Sequence, residues 1–90
     1  MKVTWDPAKA EANFTKHRIR FSDAEPALFD LMALTIEDET VQGEQRFVSI
    51  GSDALNRIVV VVYTYRGEDI RFISARRATR KERKAYEEGI

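Results

Sequence analysis

The sequence predicts an α+β fold with a single antiparallel sheet of about four strands, two N-terminal helices and one C-terminal helix. Three observations lead to this class. Helix-start signals occur in the first 25 residues and again at residue 79. Between them, segments that are β-branched or that alternate between apolar and polar residues indicate strands. The connections between these segments are short, about three to six residues, which allows hairpins but not parallel crossovers.

Two helices are predicted in the N-terminal third of the chain. Asp6 can cap free backbone N–H groups and Pro7 suits the first helical position, so a helix is expected from Pro7 to about Lys16. After a short connector, Ser22 and Glu25 have the spacing of a capping box. This spacing predicts a second, short helix that begins at Ser22.

Four strands are predicted next, over residues 34–38, 45–50, 56–65 and 70–77. The β-branched run at 58–62 is apolar toward both faces, which is typical of a central strand covered on both sides. Strict alternation along the last strand places Arg71 and Arg76 on opposite faces. The residues around Trp5 are a candidate for a further short strand.

A helix is predicted at the C-terminal end. Thr79 and Glu82 repeat the capping-box spacing, so the helix begins there and runs to about Glu88. Gly89 is placed to end it, because glycine readily adopts the left-handed conformation that follows many helices.

Length and composition predict one domain, residues 1–90, in a reducing compartment. Hydrophobic residues make up 43% of the 90, enough for one core. The chain has no cysteine, so disulfides and thiolate metal sites are excluded. The N-terminus has no apolar signal segment, and the longest apolar run, 58–63, is too short to span a bilayer. A cytoplasmic protein without membrane association is expected.

The net charge is zero, but the charges are segregated along the chain. Residues 1–20 carry five Lys or Arg against two acids, residues 21–45 carry seven acids and no base, and residues 46–90 carry ten bases against six acids. This balance excludes a whole-molecule basic field that attracts nucleic acid. Two alternatives remain open, a mixed solvated surface and a local basic surface built from the first and last segments. We expect the acidic segment to lie away from any RNA cleft, at a self-association or partner surface.

Short motifs recur from one end of the chain to the other. The most specific are Lys16-His17 after an Asp-Pro helix start and Ile-Ser-Ala-Arg at 73–76 before a capped basic helix. The full set comprises Trp5-Asp6-Pro7, Lys9, Asn13, Lys16-His17, Phe21, Ala24, Phe29-Asp30, Glu44, Arg46, Gly51, Val62-Tyr63-Thr64, Arg66, Arg71, Ile73-Ser74-Ala75-Arg76, Glu82-Arg83 and Tyr86. In these motifs the chain resembles the BrnT toxin family. It departs from the family at Arg18, where glycine usually follows Lys-His.

The resemblance implies a fold, an activity and a set of partners. The fold would be RelE-like, and the activity would be that of an endoribonuclease toxin that stops translation and growth by cleaving mRNA. The implied partner is a ribbon-helix-helix antitoxin, through which alone the complex would contact DNA. The resemblance also implies a toxin dimer within a heterotetramer.

His17 is the candidate base for RNA cleavage. Cleavage without a metal needs a base for the 2′-hydroxyl proton, cations for the phosphorane and an acid for the leaving oxygen. His17 is the only histidine, and imidazole titrates near neutral pH. Capping of the helix C-terminus is an equally weighted alternative. No metal and no cofactor are expected, because the carboxylates at 37–39 would alternate between the faces of a strand.

Arginines are the candidate phosphate ligands, since the guanidinium fork binds phosphate at two points. Arg46 and Arg76 are assigned with His17 to catalysis. We expect the sheet to gather the arginines beside His17 in one concavity. For any single arginine, the alternative role is a charge at the edge of the sheet that prevents pairing with another sheet. The further candidates for RNA contact are Lys16, Arg66, Arg71 and Tyr86.

For Tyr86 and for a polar stripe on the first helix, the sequence favours a structural role over a functional one. Tyr86 could stack on a base or donate a proton, but the last helix has few other apolar residues and needs it as an anchor. Lys9, Asn13 and Lys16 share a helix face. A solvated face is the favoured interpretation of that stripe, and contact with substrate or partner is the alternative.

Two other functions compete with the ribonuclease toxin. One is a non-enzymatic regulatory module that pairs with a DNA-binding protein. The other is a repressor that binds nucleic acid directly, and it is the weakest because the net charge is zero and no helix-turn-helix pattern is present.

Overall fold

A computed structural model of the chain describes residues 2–41 and 43–89, with residues 38–41 described by their backbone alone. In this part of the chain, helices and strands form an α+β fold. Their order is β1 Val3–Thr4, α1 Pro7–His17, α2 Phe21–Ala24, a 3₁₀ helix Glu25–Phe29, β2 Leu34–Val41, β3 Glu44–Ser52, β4 Ile58–Arg66, β5 Asp69–Arg77 and α3 Arg80–Glu88.

The sheet has five strands in the order β1-β5-β4-β3-β2, so the predicted number of about four is wrong. The three predicted hairpins form, and β4 is central. The extra strand pairs Val3 with Ile70 and runs parallel to β5, so the sheet is not wholly antiparallel. Short connections exclude parallel pairing only between consecutive strands, and β1 and β5 are far apart in sequence. A strand of two residues near Trp5 also shows no periodicity that would fix its direction.

The second N-terminal helix differs from its prediction. It begins at Phe21 rather than Ser22, and Arg20 stands at its N-cap without a side-chain cap. The capping box of Ser22 and Glu25 does not form. An α-helix that starts at Phe21 would hold Pro26 in its interior, where proline lacks the N–H and clashes with the preceding turn. The α-helix therefore ends at Ala24, and the chain continues as the 3₁₀ helix.

The other two helices have the caps that the sequence predicts. Asp6 Oδ1 accepts a hydrogen bond of 2.9 Å from the Ala8 N–H at the start of α1. At α3 both bonds of the capping box between Thr79 and Glu82 are present. Gly89 follows α3 with φ +72°, in the left-handed conformation.

The core lies between one face of the sheet and the layer formed by α1, α2 and the 3₁₀ helix. We call this face the core face. It carries buried residues of β4 and β5, packed against Ile19, Phe21 and Ala24. On the sheet, these buried residues are Val59, Val61, Tyr63, Ile70, Phe72 and Ala75. The helix layer approaches so closely that a Cβ at Gly51 would lie 2.4 Å from the Ala27 carbonyl oxygen.

α3 packs against the other face of the sheet, which we call the second face. Val60 points to this face and is 1% exposed, so the prediction that the central strand is covered on both sides is confirmed there. α3 contacts β3, but none of its own side chains is fully buried. The cover over the second face is therefore partial.

Candidate nucleic-acid interface

A β-bulge in β5 sets which side chains reach the second face. Val62 lies opposite Ser74, whereas the next residue, Tyr63, lies opposite Phe72. Ile73 is thus an extra residue that shifts the alternation. The prediction that Arg71 and Arg76 lie on opposite faces is wrong, because the bulge brings both of them to the second face with Ser74 between them.

Three of the candidate arginines lie together at one end of the second face. Arg71 is opposite Thr64 on β4. Arg46 directly precedes Phe47, which is opposite Tyr63, so Arg46 lies on the same face as Thr64 and next to this end of β4. Arg66 follows on the same side of β4. Its Nη2 lies 3.3 Å from Glu44 Oε2, and Arg46 Nε lies 3.9 Å from the other oxygen of Glu44. Glu44 therefore links Arg46 and Arg66 and offsets part of their charge.

Arg76 lies at the opposite end of this face and is paired with α3. Its Nη1 and Nη2 donate to the two carboxylate oxygens of Glu82 at 2.8 and 2.9 Å. This fork holds the pKa of Glu82 at about 2, well below its ordinary value, and raises the pKa of Arg76. Arg76 and Arg46 therefore do not meet, and Arg76 fixes the start of α3.

Tyr86 fixes the other end of α3. Its hydroxyl donates a 2.5 Å hydrogen bond to Asp30 Oδ2, which also accepts from the Ser52 N–H at 2.9 Å. The bond from Tyr86 is the main cause that lowers the pKa of Asp30, and it raises the pKa of Tyr86 in turn. The contact agrees with the anchoring role that the sequence favours, while contact between Tyr86 and RNA stays a prediction.

His17 and Lys16 line a small hollow of about 240 Å³ where α1 meets the bulge of β5. Its other lining residues include Lys9, Ile73 and Ser74. None of the four candidate arginines lines it, so the expected single concavity that holds His17 with the arginines is not observed. Ser74 connects the two features, because it lines the hollow and lies between Arg71 and Arg76 on the strand.

Asn13 is buried, so the favoured interpretation of the polar stripe as a solvated face is wrong for this residue. Its Nδ2 donates to the carbonyls of Ala75 and Ile19 at 2.8 and 3.0 Å, and its Oδ1 accepts from the Ala75 N–H at 3.0 Å. The amide thus occupies the edge of β5 where a neighbouring strand would pair. It also fixes α1, and with it Lys16 and His17, beside the bulge.

Arg18 shows why glycine is usual at its position. Its φ is +59° and its ψ +29°, the left-handed conformation, and its N–H closes α1 by donating to the Phe14 carbonyl at 2.8 Å. Glycine adopts this conformation without strain. The guanidinium groups of Arg18 and Arg20 lie 5.5 and 4.4 Å from the centre of the Phe14 ring. These contacts help hold the connector after α1.

The site also contains Ser74, Glu82 and Asp30, which the sequence does not predict as site residues. Ser74 is placed by a bulge, and the partners of Arg76 and Tyr86 are set by tertiary packing. A second hollow, of about 440 Å³ and lined partly by Trp5 and Phe14, has none of the predicted site residues in its lining. Among the side chains that the structure describes, those of residues 2–37 and 43–89, no three His, Asp or Glu are grouped to hold a metal ion. No described helix is long and apolar enough to cross a membrane.

Comparisons with known proteins agree on one family. A family model described as the ribonuclease toxin BrnT of a type II toxin–antitoxin system matches residues 5–82. The 1.1 Å crystal structure of the Brucella abortus ribonuclease toxin BrnT is 29% identical to the chain, with a TM-score of 0.66, and the match covers 89% of this chain and 99% of that one. No curated protein matches the sequence significantly. The range matched by the family model contains His17 and the four candidate arginines and ends before Tyr86.

Proposed function

The chain belongs to the BrnT family of ribonuclease toxins of type II toxin–antitoxin systems, and on this premise we propose that it is a metal-independent endoribonuclease. The proposal is carried by Arg71 and Arg76, which flank Ser74 on β5 and which we call the cationic band. The hollow lined by Lys16 and His17 opens beside this band at Ser74. Such a band can neutralise a scissile phosphate next to a group that transfers protons.

In the proposed reaction, His17 removes the proton of a ribose 2′-hydroxyl. The 2′-oxygen attacks the adjacent phosphorus, and the bond from phosphorus to the 5′-oxygen breaks. The products are a 2′,3′-cyclic phosphate and a 5′-hydroxyl, whose proton comes from water. Arg71 and Lys16 offset the charge that develops on the phosphorane.

In the proposed reaction, Arg76 binds a phosphate through the N–H groups that are not bonded to Glu82. A guanidinium carries five N–H groups, and three hydrogen bonds engage Arg76, two to Glu82 and one to the Arg77 carbonyl. Two donors remain for a phosphate. Arg46 and Arg66, at the other end of the second face, would contact phosphates that flank the scissile one.

The proposed biology is that of a growth-arresting toxin that acts on mRNA in the cytoplasm. We propose a RelE-like fold over one domain, residues 1–90, and a ribbon-helix-helix antitoxin as the protein partner. DNA would be contacted only through that antitoxin, with the toxin as a dimer within a heterotetramer. These assignments are supported by the family resemblance.

Variants of β5 and α1 test the proposal. Arg71→Ala and His17→Ala should each lower the rate of cleavage of a defined RNA by about 100-fold, the size expected for one cation or one proton-transfer group. Arg77→Ala is the matched control, because Arg77 lies on the same strand toward the core face and is exposed. Unchanged rates in Arg71→Ala and His17→Ala, with all variants folded by circular dichroism, would contradict the proposed site.

A further inference from the structure

β2 is the outer strand of the sheet, and its free edge is bordered by exposed aliphatic side chains. Ile36 lies on the second face of β2 and is 65% exposed. Just before the strand, Leu31 is 99% exposed and Met32 is 59% exposed. A long edge strand with apolar neighbours is a template for pairing with another chain.

The two edges of the sheet are treated differently. At the β5 edge, β1 pairs with Ile70 and Arg71. Farther along the same edge, the side-chain amide of Asn13 hydrogen-bonds to both the backbone N–H and the carbonyl of Ala75. Among residues 2–41 and 43–89, no strand pairs along the outer side of β2. The fold thus covers part of one edge and leaves the outward backbone groups of β2 unpaired in the described part of the chain, where β2 pairs with β3 in regular register over residues 34–38.

The charge of β2 indicates what can pair with it. Residues 37–39 read Glu-Asp-Glu, and the strand carries no base. A second copy of the chain paired antiparallel along this edge would bring acids opposite acids, which is destabilising in a sheet. RNA is disfavoured for the same reason, because its phosphates would meet the carboxylates. An extended segment that carries Lys or Arg is complementary.

We propose that the free edge of β2 is a docking site for a partner protein, which adds an extended segment of alternating aliphatic and basic residues as a sixth strand. Its aliphatic side chains extend the second face beside Leu34 and Ile36, and its bases meet Glu37 on the other side. Main-chain hydrogen bonds supply affinity and the alternate side chains supply specificity. The proposal is independent of the ribonuclease activity, because it uses no residue of the cationic band.

Binding of a model peptide tests this site. The probe is a fluorescent eight-residue peptide of alternating valine and lysine, and its counterpart carries glutamate in place of lysine. We expect saturable binding of the lysine peptide alone, with slower amide hydrogen exchange in residues 34–41. Failure of the lysine peptide to bind, equal binding of the glutamate peptide, or protection elsewhere in the chain would overturn the proposal.

Matched variants separate the edge from general charge effects. Glu37→Lys should weaken binding of the lysine peptide by about tenfold, because an attractive cross-strand pair becomes a repulsive one. Glu11→Lys is the control, since Glu11 is an exposed acid on α1 and its variant should bind like the parent. Equal loss in both variants would contradict the site. A concentration-dependent dimer that protects residues 34–41 without any peptide would identify a second copy as the occupant and overturn the proposal as well.

Discussion

Replacing Asn13 with alanine should lower the free energy of unfolding by about 3–5 kcal/mol, which tests the role assigned to the buried amide. The substitution removes three hydrogen bonds, from Nδ2 to the carbonyls of Ile19 and Ala75 and from the Ala75 N–H to Oδ1. All three are buried. Alanine leaves these three backbone groups without a side-chain partner.

The magnitude follows from the cost of an unsatisfied buried group. Each orphaned donor or acceptor costs about 1–3 kcal/mol, and the two carbonyls fall toward the lower end because each has a second lone pair. A domain of this size has a total stability of about 5–13 kcal/mol, so the variant loses a large part of it. At about 5 °C per kcal/mol for a domain of this size, the midpoint of thermal unfolding should fall by roughly 15–25 °C.

Urea unfolding followed by circular dichroism measures this loss. Thr15→Ala is the control on the same helix, because the Thr15 hydroxyl bonds only to the Glu11 carbonyl of its own exposed turn. It should change stability by less than about 0.5 kcal/mol. A loss below about 1 kcal/mol in Asn13→Ala would refute the reasoning and restore the solvated-face interpretation.

Three further predictions follow from the backbone and from the anchor of α3. Gly51→Ala should destabilise the protein by about 3 kcal/mol or more, since its Cβ would meet the Ala27 carbonyl oxygen at 2.4 Å, and an unchanged melting temperature would show that the 3₁₀ helix can move aside. Arg18→Gly should stabilise the folded protein by about 0.5 kcal/mol. It relieves left-handed backbone strain of about 1–2 kcal/mol, which exceeds the entropy that glycine adds to the unfolded chain. A lower melting temperature would contradict this. Glu82 has a pKa of about 2 in the folded chain against an ordinary 4.5, so its contribution is complete above pH 4.5 and is lost as the pH falls toward 2. Amide protection factors in α3, which are corrected for the intrinsic pH dependence of exchange, should fall over that range in the parent and not in Glu82→Gln. Equal acid sensitivity of the two would refute the anchor.

The parts of the fold that the sequence predicts are those set by local chemistry. The caps at Asp6 and Thr79 need only neighbours within one turn, and the apolar run 58–62 needs only its own pattern to indicate a central strand. The misplaced start of the second helix has a local cause as well. There the capping spacing of Ser22 competes with Pro26, and the two signals point to different helix starts.

The parts that were not predicted depend on distant residues. The bulge at Ile73 shifts the faces of β5, and the sequence shows an uninterrupted alternation there. Asn13 is buried because it meets Ala75, 62 positions later, which a helical stripe cannot reveal. The pairing of Arg76 with Glu82 spans the junction between strand and helix. Neither the period of a strand nor that of a helix brings such a pair together.

The most direct test of the central claim is the chemistry of the RNA ends produced by the purified chain in the presence of EDTA. Cleavage by side chains of the cationic band predicts a 2′,3′-cyclic phosphate and a 5′-hydroxyl, at a rate that the chelator does not change. Complete loss of cleavage with EDTA, or products that carry a 5′-phosphate, would contradict the account.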